Sequence, residues 1–250
     1  EDVLYLDIFA KFSHEVIFTP FCSQVLRAII IQRRDPCQAS IACVREWQRA
    51  FKPVSRDLEA SVQVGLFGEL WTIWRVLIPV IGARAIHLWS GPLGERHDFV
   101  GLGCHLEVKT TRKDVERHDI SRLDQLRITE GKKLLLVSVR VEESIDGAET
   151  IATKRTEILE QLSQDAESVD VFEEKLRRIG WHEGLIQNGS LLRFNLRGVS
   201  VFDVSGFFPR FPDNFEVPKG VFGIKYSIDV THETTMDTEE VSQILKIHMN

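Results

Sequence analysis

His105-Leu106-Glu107-Val108-Lys109-Thr110-Thr111 reads as a strand that carries an acid and a base on one face. Side chains on a strand alternate between faces, so Glu107 and Lys109 point one way while Leu106 and Val108 point into a core. A turn over 101–104 joins this strand to an upstream partner. That turn sets Asp98 opposite Glu107 and Phe99 opposite Leu106, so that both carboxylates share the polar face and both apolar residues share the core face. Two carboxylates and one ammonium group are expected to converge on a rigid two-stranded surface.

These residue types suit the hydrolysis of a phosphodiester. Water must become a nucleophile near neutral pH, and charge developing on the phosphorus oxygens and the leaving alkoxide must be stabilised, which hard divalent cations accomplish. Magnesium takes oxygen ligands and keeps several waters, so a protein usually offers it one or two carboxylates. Asp98 and Glu107 fit that part, with Mn2+ expected to substitute for Mg2+. Lys109 would orient the attacking water or steady the pentavalent state, and its charge would help keep the neighbouring carboxylates ionised.

The Glu-x-Lys triplet alone carries little weight, because the chain contains two others. Glu130-Gly131-Lys132 lies at a glycine turn before a strand expected over 133–139. Glu173-Glu174-Lys175 lies in an acidic helical segment and reads as a solvated face. Pro212-Asp213 with Glu216 and Lys219 imitates the letters of a nuclease signature in what reads as a loop. What distinguishes 98–109 is its strand, turn and strand context. The bland alternative there is a surface salt bridge on a two-stranded edge.

A second acid strengthens the reading. Ser55, Asp57 and Glu59 resemble a capped, acidic first turn, and Leu58, Val62, Leu66 and Leu70 recur at helical spacing until Pro79 ends the run. Glu69 therefore lies in a helix beside an apolar stripe, where a cation or lysine would compensate its charge, or from which it would snorkel to water. Gly65 and Gly68 each cost that helix about 1 kcal/mol relative to alanine, which suggests a close approach on that side. Downstream, Ser121 with Asp124 resembles a capping box that places Gln125 in the first turns of a helix, either reaching the site or lying on the helix surface. His97, His105 and His118 match no common zinc spacing and are assigned no catalysis.

Glu69 on a helix, Asp98 on one strand and Glu107-Val108-Lys109 on the next resemble the PD-(D/E)xK phosphodiesterase superfamily of restriction and repair nucleases. Gly65-Leu66-Phe67-Gly68-Glu69-Leu70, Trp89-Ser90-Gly91-Pro92, His97-Asp98-Phe99, Glu107-Val108-Lys109-Thr110-Thr111 and Gln125-Leu126 are similar to one bacterial branch commonly encoded beside restriction and other phage-defence genes. Phe208-Pro209-Arg210 and a strand over 223–230 with Tyr226 resemble that branch's tail, so the likeness runs from about Ile41 onward. His97 stands where the superfamily name has proline. Some recombination-associated members carry a tyrosine four residues after the glutamine, but Thr129 stands there in this chain.

The resemblance implies an α/β (α+β) fold with a restriction-endonuclease-like core: a mixed central sheet flanked by helices, with a helical N-terminal and a mixed α/β C-terminal addition. It implies a magnesium-dependent endonuclease on DNA, with Glu69, Asp98 and Glu107 toward the metal and Lys109 and Gln125 completing the catalytic set. Products would carry 5′-phosphate and 3′-hydroxyl ends. One such site cuts one strand, so duplex cleavage would need a homodimer, a second enzyme or sequential nicks, and other defence-system subunits are candidate partners. The alternatives are a catalytically silent DNA-binding or assembly subunit of the same fold, and a repair or junction nuclease.

The remaining sequence bounds this reading. Three regions are expected: a helical part over 1–54, the nuclease core over 55–141, and a mixed α/β part over 142–250 packed on the core. Within them, helical character is expected up to Arg34 with a start near Phe18-Thr19-Pro20-Phe21 and a break at 33–36, helices over 153–180, and strands over 191–204 and 221–230. The formal charge of −6 is unlike that of a protein held to duplex by bulk electrostatics. Residues 141–178 hold eleven acids against five basic residues, however, so the rest of the chain is balanced. Arg112, Lys113, Arg117 and Arg122 follow the catalytic strand and are placed to hold phosphates, unless they are solvated charges interleaved with Asp114, Glu116 and Asp119. Cys22, Cys37, Cys43 and Cys104 lack paired ligand spacing and nothing resembles a signal peptide, so a reduced, cytoplasmic setting is expected. Glu69, Arg75, Pro79 and Arg84 interrupt the apolar helix too often for a membrane span. Position 1 is Glu and not Met, consistent with a native start further upstream.

Overall fold

In the computed structural model, which describes residues 7–8, 15–50 and 57–249, the chain separates into two units, Glu1–Arg56 and Asp57–Asn250. The first holds α1 (Glu15–Ile30) and α2 (Pro36–Ala50), which pack on each other; Val25, Ala28, Ala39 and Cys43 are buried. Pro20 lies inside α1, so the Phe18 to Phe21 stretch is helix interior and not a start. The break before Pro36 is where expected, with Arg33 at a positive φ of 57°.

The second unit begins with α3 (Ala60–Thr72), which continues through a π-helical turn at Ile73–Leu77 into α4 (Ile78–Ile81). Two details depart from the sequence reading. Glu59 stands at the N-cap without a side-chain cap bond, and Ser55, the expected cap, lies outside the described residues. Pro79 does not end the run either, since it sits in α4 just after the wide turn. Proline has no N–H to close an α-helical bond, and a π turn is one way to let a helix pass such a defect. The stretch from Ala60 to Ile81 is long and apolar enough to cross a membrane by length and composition. Here Leu66, Phe67, Leu70, Ile73 and Leu77 belong to the main core.

After α5 (Arg84–Leu88) come β1 (Phe99–Val100), β2 (Cys104–Thr111), β3 (Arg117–Ile120) and β4 (Lys133–Glu143). Then follow α6 (Ile151–Gln161), α7 (Ala166–Ile179), α8 (Gly184–Gln187), β5 (Phe194–Asp203), β6 (Tyr226–Asp229) and α9 (Thr238–His248). The main sheet runs β1-β2-β4-β5, antiparallel at both edges and parallel between β2 and β4. It is thus a mixed sheet flanked by helices, as expected of a restriction-endonuclease-like core. The division anticipated at 141/142 falls within β4, and β5 is a strand of this same sheet.

Strand β4 explains the layering. Leu135, Val137, Val139 and Val141 enter the larger core with α3, α6 and α7, whereas Leu134 and Leu136 enter a smaller core with Ile120, Leu126, Phe202 and Ile228. A strand apolar on both faces must be covered on both. The second cover is the two-stranded sheet of β3 and β6. Glu107 and Lys109 face this second layer, beside Leu136 and Ser138 in the parallel register, so their face is a covered interior and not the open polar surface expected. Lys175, read as part of a solvated helix face, is also buried; it donates to the carbonyls of Ile86, His87 and Trp89. All four cysteines are free thiols.

His118 illustrates the second layer's consequence for stability. Its ring bonds Ser138 Oγ at 2.8 Å, and burial lowers its pKa to about 4, with the nearby Lys109 charge adding to the effect. The folded pKa is depressed below the ordinary value near 6.5, so the stabilising neutral form is fully present above that value and is lost as pH falls from about 6.5 toward 4. In urea unfolding, the wild type is expected to lose on the order of 1–2 kcal/mol relative to His118→Gln between pH 7 and pH 5. A difference between the two proteins that stays constant over that interval would show that burying His118 in its neutral form carries no such cost.

Candidate functional site

The register decides which side chains meet. Phe99 pairs with Leu106 and Val100 with His105, the pairing expected from the turn, so Asp98, one residue before β1, falls opposite Glu107. The Asp98 carboxylate is fixed by the backbone of the next strand, since Val108 N–H donates to Oδ2 at 2.8 Å. Its own carbonyl accepts from Ser90 N–H at 2.7 Å and Gly91 N–H at 3.1 Å, which fastens the segment after α5 to the same edge.

That segment brings in Glu69. Trp89, fully buried and packed on Phe172 at 5.9 Å between ring centroids, donates its indole N–H to Glu69 Oε2 at 2.6 Å. A Cβ on Gly91 would lie 2.6 Å from Glu69 Oε2 and 3.2 Å from Asp98 Oδ1, so these two carboxylates crowd one point that only glycine leaves open. Gly68 does the same between α3 and β2, where a Cβ would meet the Thr110 hydroxyl. Gly65, expected to share that approach, has nothing near it.

Glu107 is 1% exposed, and its Oε1 accepts from Lys109 Nζ at 2.9 Å and Gln125 Nε2 at 3.0 Å. Its Oε2 is buried without a hydrogen-bond partner. Gln125 thus reaches the acids, though not from a helix: 121–126 is a series of turns. The glutamine closes that turn itself, because its Oε1 accepts from Ser121 N–H at 2.9 Å and Arg122 N–H at 3.3 Å. The amide orientation is therefore determined, with the NH2 directed at Glu107.

Burial dominates the electrostatics. Desolvation raises the pKa of Glu69 well above the ordinary carboxylate value, with Asp98 the next cause, and it raises Asp98 against the Val108 N–H and Lys109. Glu107 is pushed up to about 8 by desolvation first and by Asp98 second, against the opposing charge of Lys109. The charge of one lysine does not offset the desolvation and mutual repulsion of three crowded carboxylates, whose pKa values are raised and not held down as the sequence led one to expect. The set lacks positive charge.

A divalent cation would supply it, and the donors fit. They are hard oxygens, one a buried orphan, and Glu69 Oε2 and Asp98 Oδ1 converge beside a glycine. Among the described residues, no group of three or more His, Cys, Asp or Glu is drawn closely enough together to hold an ion by itself. Magnesium does not need one, because two carboxylates and retained waters suffice. PD-(D/E)XK nucleases typically use divalent metals.

The basic residues after β2 are already engaged. Arg112 pairs with Glu143 at 2.5 Å, Arg117 with Asp229 at 2.6 Å, and Arg122 with Asp124 at 3.0 Å. These partners are not simply the neighbouring acids read from the sequence. Exposed pairs of this kind contribute little and do not prevent a phosphate from competing. Lys113 is exposed. Sequence reasoning assigned no role to Trp89, Gly91, Lys132 or Lys175, although Trp89-Ser90-Gly91-Pro92 carried part of the resemblance. A tryptophan and a glycine on an irregular segment give no periodic signal that an acid lies beside them.

No curated protein and no solved structure matches the chain. A family model described as "Putative PD-(D/E)XK family member, (DUF4420)" matches residues 3–231. That span takes in every strand of the mixed sheet and every residue of the acid cluster, and the chain therefore belongs to this PD-(D/E)XK family.

Proposed function

We propose that this chain is a magnesium-dependent endonuclease that hydrolyses DNA phosphodiester bonds, with Mn2+ able to substitute. The observation that supports this reading most is the convergence of Glu69, Asp98 and Glu107 with Lys109 and Gln125. Asp98 and Glu107 hold the metal, and Glu69, steadied by Trp89, supports it or its water. When bound, the cation lowers the pKa of water and neutralises charge on the phosphate oxygens. Lys109 orients the attacking water and stabilises the pentavalent phosphorus. Gln125 fixes the Glu107 carboxylate. Water attacks opposite the 3′ oxygen, leaving 5′-phosphate and 3′-hydroxyl ends.

The resemblance of the quoted motifs to a branch encoded among phage-defence genes supports a restriction or defence role. A cytoplasmic setting, a homodimer and other defence subunits belong to the same proposal. The purified chain is expected to nick supercoiled plasmid with Mg2+, to stop with EDTA and to resume with Mn2+. Equal background nicking by the wild type and by folded Asp98→Ala would sink the nuclease reading in favour of a DNA-binding or assembly subunit. Faster cutting of branched than of linear duplex would assign the chain to repair or junction resolution.

A further inference from the structure

Three side chains outside the acid cluster form a hydrogen-bonded line that leads into it. His105 and His97 are buried, with ring centroids 4.9 Å apart and their Nδ1 atoms 3.0 Å apart. His97 Nε2 lies 2.9 Å from the Gln125 carbonyl, and Lys132 Nζ lies 3.3 Å from His105 Nε2. The direction of every bond follows from its ends. A carbonyl can only accept, so His97 carries its proton on Nε2 and leaves Nδ1 as an acceptor. His105 must then donate from Nδ1, which leaves its Nε2 to accept from the Lys132 ammonium. Each donor meets one acceptor with both rings neutral.

We propose that Lys132, His105 and His97 form a one-way positioning relay that holds Gln125, and through it the Glu107 carboxylate, in the geometry that accepts a divalent cation. The inference rests on the metal-dependent reading above. Gln125 needs such support because it lies in a turn with no helical ladder, while both ends of its side-chain amide are committed. The relay joins three separate segments: the bend that carries Asp98, strand β2 that carries Glu107, and the turn that carries Gln125. Outer partners of this kind typically tune metal affinity or activity by about 10–100-fold.

The relay is tested on the full chain by Mn2+ titration followed by electron paramagnetic resonance, together with ring-nitrogen NMR. His97→Phe keeps an aromatic ring in the buried stack but cannot donate, and it should weaken Mn2+ binding about tenfold. His97→Gln, which can still donate to the Gln125 carbonyl, should recover most of that loss at a similar thermal midpoint. The wild-type NMR spectrum should show His97 protonated at Nε2 and His105 at Nδ1. Wild-type Mn2+ affinity in His97→Phe, equal losses in both variants, or the opposite tautomers would overturn the relay. Failure of the wild-type chain to bind Mn2+ would overturn the metal reading and the relay's purpose with it, and the tautomer spectrum would still decide whether the relay exists.

Discussion

Lys109→Ala is expected to lower Mg2+-dependent nicking by about 10²–10³-fold, the scale on which loss of a preorganised charge at the developing oxyanion is felt. Lys109 is on β2 two residues after Glu107, and its ammonium is held 2.9 Å from Glu107 Oε1 with a side-chain exposure of 16%. A rigid strand and a carboxylate anchor thus fix one positive charge beside the acids. Removing it also takes away the cation that opposes the raised pKa of Asp98 and Glu107, so metal binding should weaken as well. Lys109→Arg should recover little, because a planar guanidinium does not fill the place of a compact ammonium between Glu107 and the covering layer. Initial nicking rates across a Mg2+ series, with circular dichroism to confirm the fold, separate the two losses. Activity within a few-fold of wild type in Lys109→Ala would mean that this lysine takes no part in the chemistry.

Glu107→Gln should move activity and stability in opposite directions. The substitution removes a carboxylate that is buried, crowded by Asp98 and left with an unpartnered oxygen, while its amide carbonyl can still accept from Lys109 and Gln125. Cleavage should fall by about 10²-fold or more with loss of a metal ligand. With EDTA present, the variant should be more stable than wild type by roughly 1–3 kcal/mol near pH 8. The sign follows from the raised folded pKa: the unfolded chain gives up this proton at lower pH than the native one, so the Glu107 contribution to stability declines as pH rises from about 4.5 toward 8. The glutamine variant lacks that decline. Saturating Mg2+ should stabilise the wild type and narrow the gap. A variant less stable than wild type in EDTA at pH 8 would show that burying the charged carboxylate is not the cost inferred from its surroundings.

Much of the site was legible because it obeys two short-range periods. The period of two on β2 and the turn over 101–104 set Asp98 against Glu107 and Phe99 against Leu106. The helical spacing of Leu66 and Leu70 gave the helix that carries Glu69. Gln125 reached the acids by a route the sequence did not give. Ser121 with Asp124 imitates a capping box, but the glutamine side chain takes the turn's N–H groups and no helix follows. Pro79 misled in the same way, because a π turn carries the helix past it.

What the sequence determined by itself is the helix that carries Glu69, the register of the hairpin and the identity of its acids and base, because these depend on neighbours within a turn or a strand spacing. What only the tertiary structure decided is how far those acids are withdrawn from water and what steadies them. The cover supplied by β3 and β6, the indole of Trp89, the opening at Gly91 and the histidine line to Gln125 all come from residues far apart in the chain. Desolvation depends on everything packed around a charge, and no local pattern in the sequence records it.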